Sequence, residues 1–313
     1  MKTSKLGTNG PEISVIGYGA WEAGGMQWGP NPPDDQVITA MRTAIDAGVT
    51  WIDTAEIYGG GKSEELVRQA LDGRDEVLVF TKLAPKGPGS GFDRAGVRAG
   101  CEASLQRLGL DVIDLYQLHW PDQRTPVEET WEAMASLVND GLVRHIGVSN
   151  FDQDLIERCE RIRHVDSLQP HFSMLWREAR DERLLEFCKR NGTGVIAYAP
   201  LGFGILTGAF DKDTTFSDDD WRSGKLGERG YDFLFAPGKF ERNIDIVDEL
   251  RPVADRLGVT PGQLALAWVV RQEGVTGAIA GSRDPTHVTE NAGGGDVDLS
   301  DKDLEEIEEV ISS

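Results

Sequence analysis

Residues 51–82, WIDTAEIYGGGKSEELVRQALDGRDEVLVFTK, open on the short apolar run WID, pass through a helical pattern, and return to a second apolar run closed by Lys82. This is a strand–helix–strand unit. Working outward, comparable β-branched or apolar runs recur at 15–18, 112–118, 143–148, 167–169, 195–198 and 276–280, each followed by a helical pattern. With 51–53 and 76–81 they make eight candidate strands. Eight near-continuous apolar strands alternating with amphipathic helices favour a closed parallel barrel over an open doubly wound sheet. The expected architecture is therefore α/β, a (β/α)8 TIM barrel forming one domain over residues 1–313. A short hairpin over 3–14 should precede it. Helix 34–47 carries Val37, Ile38, Met41, Ala44 and Ile45 on one side, with Gly48 where a left-handed cap would sit.

The alternation breaks after the seventh strand. There a Gly- and Asp-rich stretch, GFGILTGAFDKDTTFSDDDW (202–221), precedes an extra helical segment from about Arg242 to Leu257. This insertion reads as a candidate lid. At the C-terminus, DLEEIEEVI carries Leu304, Ile307, Val310 and Ile311 on one stripe that should pack on the barrel wall, and the glycines at 293–295 read as its linker.

The chain has 313 residues, 39% hydrophobic and 27% charged, long enough to bury a core without disulfides or metal staples. Its three cysteines, Cys101, Cys159 and Cys188, each fall among apolar residues at helical spacing and read as core thiols, which suits a reducing cytoplasm. The N-terminal residues lack an apolar signal core, and the run LALAWVV at 264–270 is too short to span a bilayer. A cytoplasmic location is the expectation. The formal net charge of −21 argues against nucleic-acid or anionic-membrane partners. It also fits either simple solubility or adaptation to a salty cytosol.

Two motifs mislead. GGGKS at 59–63 lacks the upstream glycine of a phosphate-binding P-loop, because position 56 is Glu. GYGAWE at 17–22 offers two glycines of a dinucleotide fingerprint and puts Glu22 where the third belongs. The five histidines show no metal-ligand spacing, so no metal is expected.

In a parallel barrel the reactive groups sit where strands end and βα loops begin. Asp53 closes WID, Tyr58 follows five residues on, Lys82 closes VLVFTK, and His119 closes IDLYQLH. Adjacent strand ends converge, which allows an Asp–Lys–Tyr hydrogen-bonded chain with His beside it. An ammonium beside a phenol should lower the phenol's pKa, Asp53 supplies the countercharge, and His119 can orient a carbonyl oxygen. Such a site can protonate an alkoxide but has no electron donor, so a hydride-carrying cofactor must complete it.

The segments DTAEIYGGGKSE, VFTKL, DLYQLHWPD, GLVRHIGVSNF, QPHFSML and AYAPLGFGILTG, in this order across the whole chain, resemble the aldo-keto reductase superfamily. The likeness is greatest to its bacterial general-stress and sugar-metabolism branch. It implies Tyr58 as general acid, Lys82 as its modulator, Asp53 as the lysine's partner and His119 as the carbonyl orienter. For the cofactor it implies Ser149, Asn150 and Gln169 on the nicotinamide carboxamide and Tyr198 stacked on the ring. The stretch 200–207 would form a loop over the pyrophosphate, with Pro200, Leu201, Gly204 and Leu206 at the cofactor. Ser282 and Arg283 would hold the adenosine 2′-phosphate, Glu290 with Asn291 would bind the adenine, and Gly281 and His287 would also contact the cofactor. An Arg at 283 points to NADPH over NADH. His287 and Ala280 depart from the family's usual pattern; Asp284, placed to cap a helix with Pro285 in its first turn, also stands beside Arg283, where it would weaken phosphate binding.

Trp21, Trp28 and Trp120 would wall the mouth with His119, and Trp21 would also touch the cofactor. The expected function is NADPH-dependent reduction of a small aldehyde or ketone. Two other readings compete: an NADP(H)-binding regulatory or redox-sensing subunit, and a Schiff-base lyase using Lys82, against which Asp53 argues.

Overall fold

The computed structural model describes residues 1–85, 92–227 and 230–312. Strands β1 (Thr3–Lys5) and β2 (Glu12–Ser14) pair antiparallel as the expected hairpin. Eight further strands follow: β3 (Ile16–Gly19), β4 (Trp51–Asp53), β5 (Leu78–Leu83), β6 (Ile113–Leu118), β7 (Val143–Ser149), β8 (Ser167–Gln169), β9 (Gly194–Ala197) and β10 (Gly277–Ala280). They close in sequence order into a parallel barrel, with β10 returning to β3.

Between them run α1 (Asp34–Asp46), α2 (Lys62–Ala70), α3 (Arg94–Leu108), α4 (Val127–Asn139), α5 (Gln153–Glu160), α6 (Glu178–Asp181) and α7 (Leu184–Asn191). After β9 come α8 (Lys239–Leu257) and α9 (Pro261–Arg271), and after β10 come α10 (Pro285–Gly293) and α11 (Asp301–Ile311). The helices turn their apolar stripes inward; in α1 the buried face is Val37, Ala40, Met41 and Ala44. All three cysteines are buried. No helix among the described residues is long and apolar enough to cross a membrane.

The hairpin stoppers the N-terminal end of the barrel. Leu6 and Ile13 enter a cluster with the inward-facing Trp51, Phe80, Leu115, Ile196 and Ile279. The Trp51 indole donates to the Ser14 carbonyl at 2.8 Å and packs on Phe80 at 5.0 Å between ring centroids. Such filling makes the barrel a packed core and leaves only its C-terminal mouth for chemistry.

Three expectations shift. The helix expected from Arg242 begins at Lys239, a turn earlier, where Glu241 accepts the Gly238 amide. The glycines at 293–295 are no linker: Gly293 ends α10, and Gly294 and Gly295 form a buried 310 turn with Asp296. A Cβ on Gly295 would meet Ile16, Val15 and Met1 at 3.1 Å, so close packing explains these glycines. Finally β9 ends at Ala197, and Tyr198 bridges to His171 just outside the ladder.

Gly17 on β3 gives the Trp51 indole its room, since a Cβ there would come within 2.2 Å of the ring. Gly17→Ala should therefore lower unfolding stability by about 1–3 kcal/mol in urea titrations. A loss under about 0.5 kcal/mol would show that the stopper does not need this void.

Candidate active site

The C-terminal ends of successive strands place the polar residues around one cavity of about 800 Å³, within the range of small-ligand sites. Asp53 ends β4, Lys82 lies one residue from the end of β5, and His119 follows β6 directly. Ser149 ends β7 with Asn150 next, Gln169 ends β8, Tyr198 follows β9, and Gly281 follows β10.

At the floor, the fully buried Lys82 ammonium donates to Asp53 Oδ1 at 2.5 Å, to the Thr54 carbonyl at 2.9 Å and to the Tyr58 hydroxyl at 3.3 Å. All three of its protons are committed. Asp53 also accepts from the side-chain amides of Gln169 at 2.9 Å and Gln117 at 3.5 Å. Burial pushes the Asp53 carboxyl up and the Lys82 ammonium down, and in each case the partner's charge opposes the shift.

Tyr58 departs from expectation. Burial, with the Asp53 charge adding to it, holds its hydroxyl well above the ordinary value of 10.0. Desolvation of a phenolate outweighs the neighbouring ammonium, because that ammonium is already neutralised by Asp53. The phenol is thus a retained acid rather than an easily ionised one. His119 stands edge-on to Tyr58, with ring centroids 5.6 Å apart, and stacks on Trp120 at 3.8 Å. Burial first and Lys82 second hold the imidazole well below 6.5, so it is neutral and keeps one N–H donor.

Asn150, with φ +60°, donates to the His119 carbonyl at 3.0 Å and the Ser149 hydroxyl at 3.1 Å, while accepting from the Tyr198 hydroxyl at 2.9 Å. Ser149 in turn donates to the Gln169 carbonyl at 2.7 Å. The three residues read as carboxamide contacts are therefore tied to the Asp53–Lys82 pair and to Tyr198.

Pro200, Leu201 and Gly204 line the cavity, whereas Leu206 is buried beneath that loop. Gly281, Ser282, His287, Glu290 and Asn291 line the far end. There Asp284 caps α10 by accepting the Thr286 amide at 2.7 Å, and Pro285 takes the first turn, as the sequence implied. Arg283 does not face the cavity. Its guanidinium donates to the Asn31 side chain at 3.0 Å and the Trp28 carbonyl at 2.9 Å, and it pairs with Glu22 at 3.7 Å.

Trp21, Trp28 and Trp120 line the mouth. Sequence reasoning did not single out three cavity-lining residues of the segment after β9. Phe203 packs edge-on to Trp21 at 6.0 Å, and Tyr231 meets the Tyr198 hydroxyl at 3.3 Å. Arg222 lies over Trp28 and Phe216 and is held by Asp220 at 2.6 Å. The aromatics scattered through the Gly- and Asp-rich insertion were the available signal, since a solvated loop rarely carries so many.

The site's dimensions and donors suit a nicotinamide dinucleotide. Tyr198 offers a flat face beside the Asn150 and Gln169 amides, and the cavity runs on to the start of α10, where backbone amides favour anions. His119 Nδ1, buried without a partner among the described residues, is a polar atom at the reacting end.

Known proteins resemble this chain over most of its length. "Aldo-keto reductase YhdN" of Bacillus subtilis is 36% identical over 293 residues, covering 91% of this chain and 86% of that protein. The "NADH-specific methylglyoxal reductase" of Escherichia coli is 33% identical over 333 aligned positions, covering 100% and 99%. Among solved structures, the glycerol dehydrogenase AKR11B4 of Gluconobacter oxydans superposes with a TM-score of 0.86 at 30% identity, over 99% of this chain and 95% of that one. The aldo/keto reductase of Klebsiella pneumoniae in complex with NADP and acetate gives 0.72 at 31% identity, over 99% and 96%. The model of the aldo/keto reductase family matches residues 15–312, and this chain belongs to that family.

Proposed function

We propose that this protein reduces a small aldehyde or ketone to the alcohol with NADPH, Tyr58 serving as the general acid. The observation that carries the reading is the hydrogen-bonded chain Asp53–Lys82–Tyr58 with neutral His119 beside it, at the floor of a cavity long enough for a dinucleotide. A bound nicotinamide dinucleotide would supply the hydride that the chain's own side chains lack. His119 donates its ring N–H to the carbonyl oxygen and sets its direction. Tyr58 donates its proton to that oxygen as negative charge develops there, and the Lys82 hydrogen bond stabilises the phenolate left behind. Asp53 keeps Lys82 charged, and Gln169 and Gln117 keep Asp53 in place.

Tyr198 would restrain the nicotinamide ring so that one face meets the substrate, with Ser149, Asn150 and Gln169 ordering the carboxamide. A 2′-phosphate would sit by Ser282 and His287, next in sequence to an Arg283 turned toward residues 22–31, while Glu290 and Asn291 would face the adenine. The aromatic mouth formed by Trp21, Trp28 and Trp120 suits apolar or mixed carbonyl compounds with modest discrimination, because one methylene in such a pocket is worth only about 1–3 kcal/mol. Lys82, fully buried with its protons engaged, is a poor nucleophile for Schiff-base chemistry.

Tyr58→Phe should cut NADPH-driven reduction of a carbonyl panel by about 10²- to 10⁴-fold while the dinucleotide Kd changes little. A near-normal rate would remove Tyr58 as the acid, and tight NADPH binding without turnover in the unaltered protein would favour a sensing role. Because burial raises the Tyr58 pKa above 10.0, its proton stays in place throughout the neutral and mildly alkaline range. The kcat/KM for carbonyl reduction should therefore hold level from about pH 6 to 9, whereas alcohol oxidation, which needs the phenolate, should rise with pH. A reduction profile that declines with an apparent pKa near 7 would contradict this. Lys82→Met leaves the Asp53 carboxylate buried without its cation and should lower stability by about 3–5 kcal/mol in chemical denaturation.

A further inference from the structure

The loop after β3 is tied to the loop after β10 through one guanidinium. All three Arg283 nitrogens point at residues 22–31: Nη1 donates to Asn31 Oδ1 at 3.0 Å, Nη2 donates to the Trp28 carbonyl at 2.9 Å, and Nε pairs with Glu22 Oε2 at 3.7 Å. The side chain is only 17% exposed, and its own carbonyl accepts from Gln36 at 3.2 Å. Glu22 itself lines the cavity, with Arg283, Arg222 and Asp220 as its charged neighbours and His287 nearby.

We propose that Glu22 is a positioning residue that sets how strongly the protein distinguishes a dinucleotide with a 2′-phosphate from one without, by holding Arg283 away from the phosphate. The inference rests on the reductase reading above and refines its cofactor. A 2′-phosphate near Ser282 and His287 gains the full Arg283 charge only by drawing the guanidinium off three partners, two of them neutral acceptors and one an anion. NADH carries a hydroxyl at that position and leaves the latch closed. The unaltered protein therefore accepts both dinucleotides with affinities closer together than an open arginine would produce. The latched loop also carries Trp21 and Trp28, so a phosphate that takes Arg283 also loosens the substrate wall.

The test is a set of Kd values for NADP+ and NAD+, measured by quenching of tryptophan fluorescence and checked by titration calorimetry. Glu22→Gln should tighten NADP+ by about 5- to 20-fold and shift NAD+ by less than about twofold. Asn31→Ala removes one acceptor without changing charge and should tighten NADP+ by about two- to fivefold. In an Arg283→Gln background the Glu22→Gln gain should disappear.

The latch is refuted if Glu22→Gln moves both dinucleotides alike or neither. It is also refuted if the gain persists without Arg283, since Glu22 would then act on the phosphate directly, or if Asn31→Ala leaves NADP+ unmoved. Failure of the unaltered protein to bind either dinucleotide would instead overturn the reductase reading itself.

Discussion

The ion pair between Lys82 and Asp53 is the contact on which the site depends. An ammonium with no exposed surface survives only if every proton has an acceptor, and Asp53, the Thr54 carbonyl and the Tyr58 hydroxyl supply all three. Desolvation works against both charges. Their short contact, together with the Gln169 and Gln117 amides on Asp53, offsets that cost. The pair is therefore poor evidence of stability for its own sake and good evidence that the fold has been shaped around it. It joins β4 to β5 and, through the glutamines, reaches β6 and β8.

From this floor the order spreads by hydrogen bonds that cross strands. Gln169 holds Asp53, its carbonyl holds Ser149, Ser149 accepts from Asn150, and Asn150 accepts from Tyr198, which meets Tyr231 of the segment after β9. Asn150 adopts a left-handed backbone to make these contacts, a conformation that short amide side chains tolerate better than most. A connected network of this kind fixes side-chain directions before any ligand arrives, which lowers the reorganisation needed for hydride transfer. The other end of the cavity is organised differently. There Glu22, Asn31 and Trp28 determine where the one arginine of the α10 entry points.

Much of this was readable along the chain. All eight barrel strands fall where the apolar runs lie, because strands buried on both faces admit few polar residues. Asp53, Lys82 and His119 were found by looking at strand ends, and the barrel brings them together with Tyr58. The caps of α10 were equally legible, since Asp284 and Pro285 act on the backbone within one turn. The glycines at 293–295 were misread because their reason is contact with residues remote in sequence, Gln263 at Gly293, Leu266 at Gly294, and Ile16, Val15 and Met1 at Gly295.

What the sequence determined alone is the set of local patterns: period-two and apolar runs, amphipathic stripes, caps, and the residue types that chemistry requires at strand ends. Only the folded chain decided the direction of the Tyr58 shift, the commitment of Arg283 to residues 22–31, and the entry of Phe203, Arg222 and Tyr231 into the site. The division has a physical cause. Propensity and periodicity act between residues a few positions apart, whereas desolvation and the choice among competing hydrogen-bond partners depend on groups that meet only when the barrel closes.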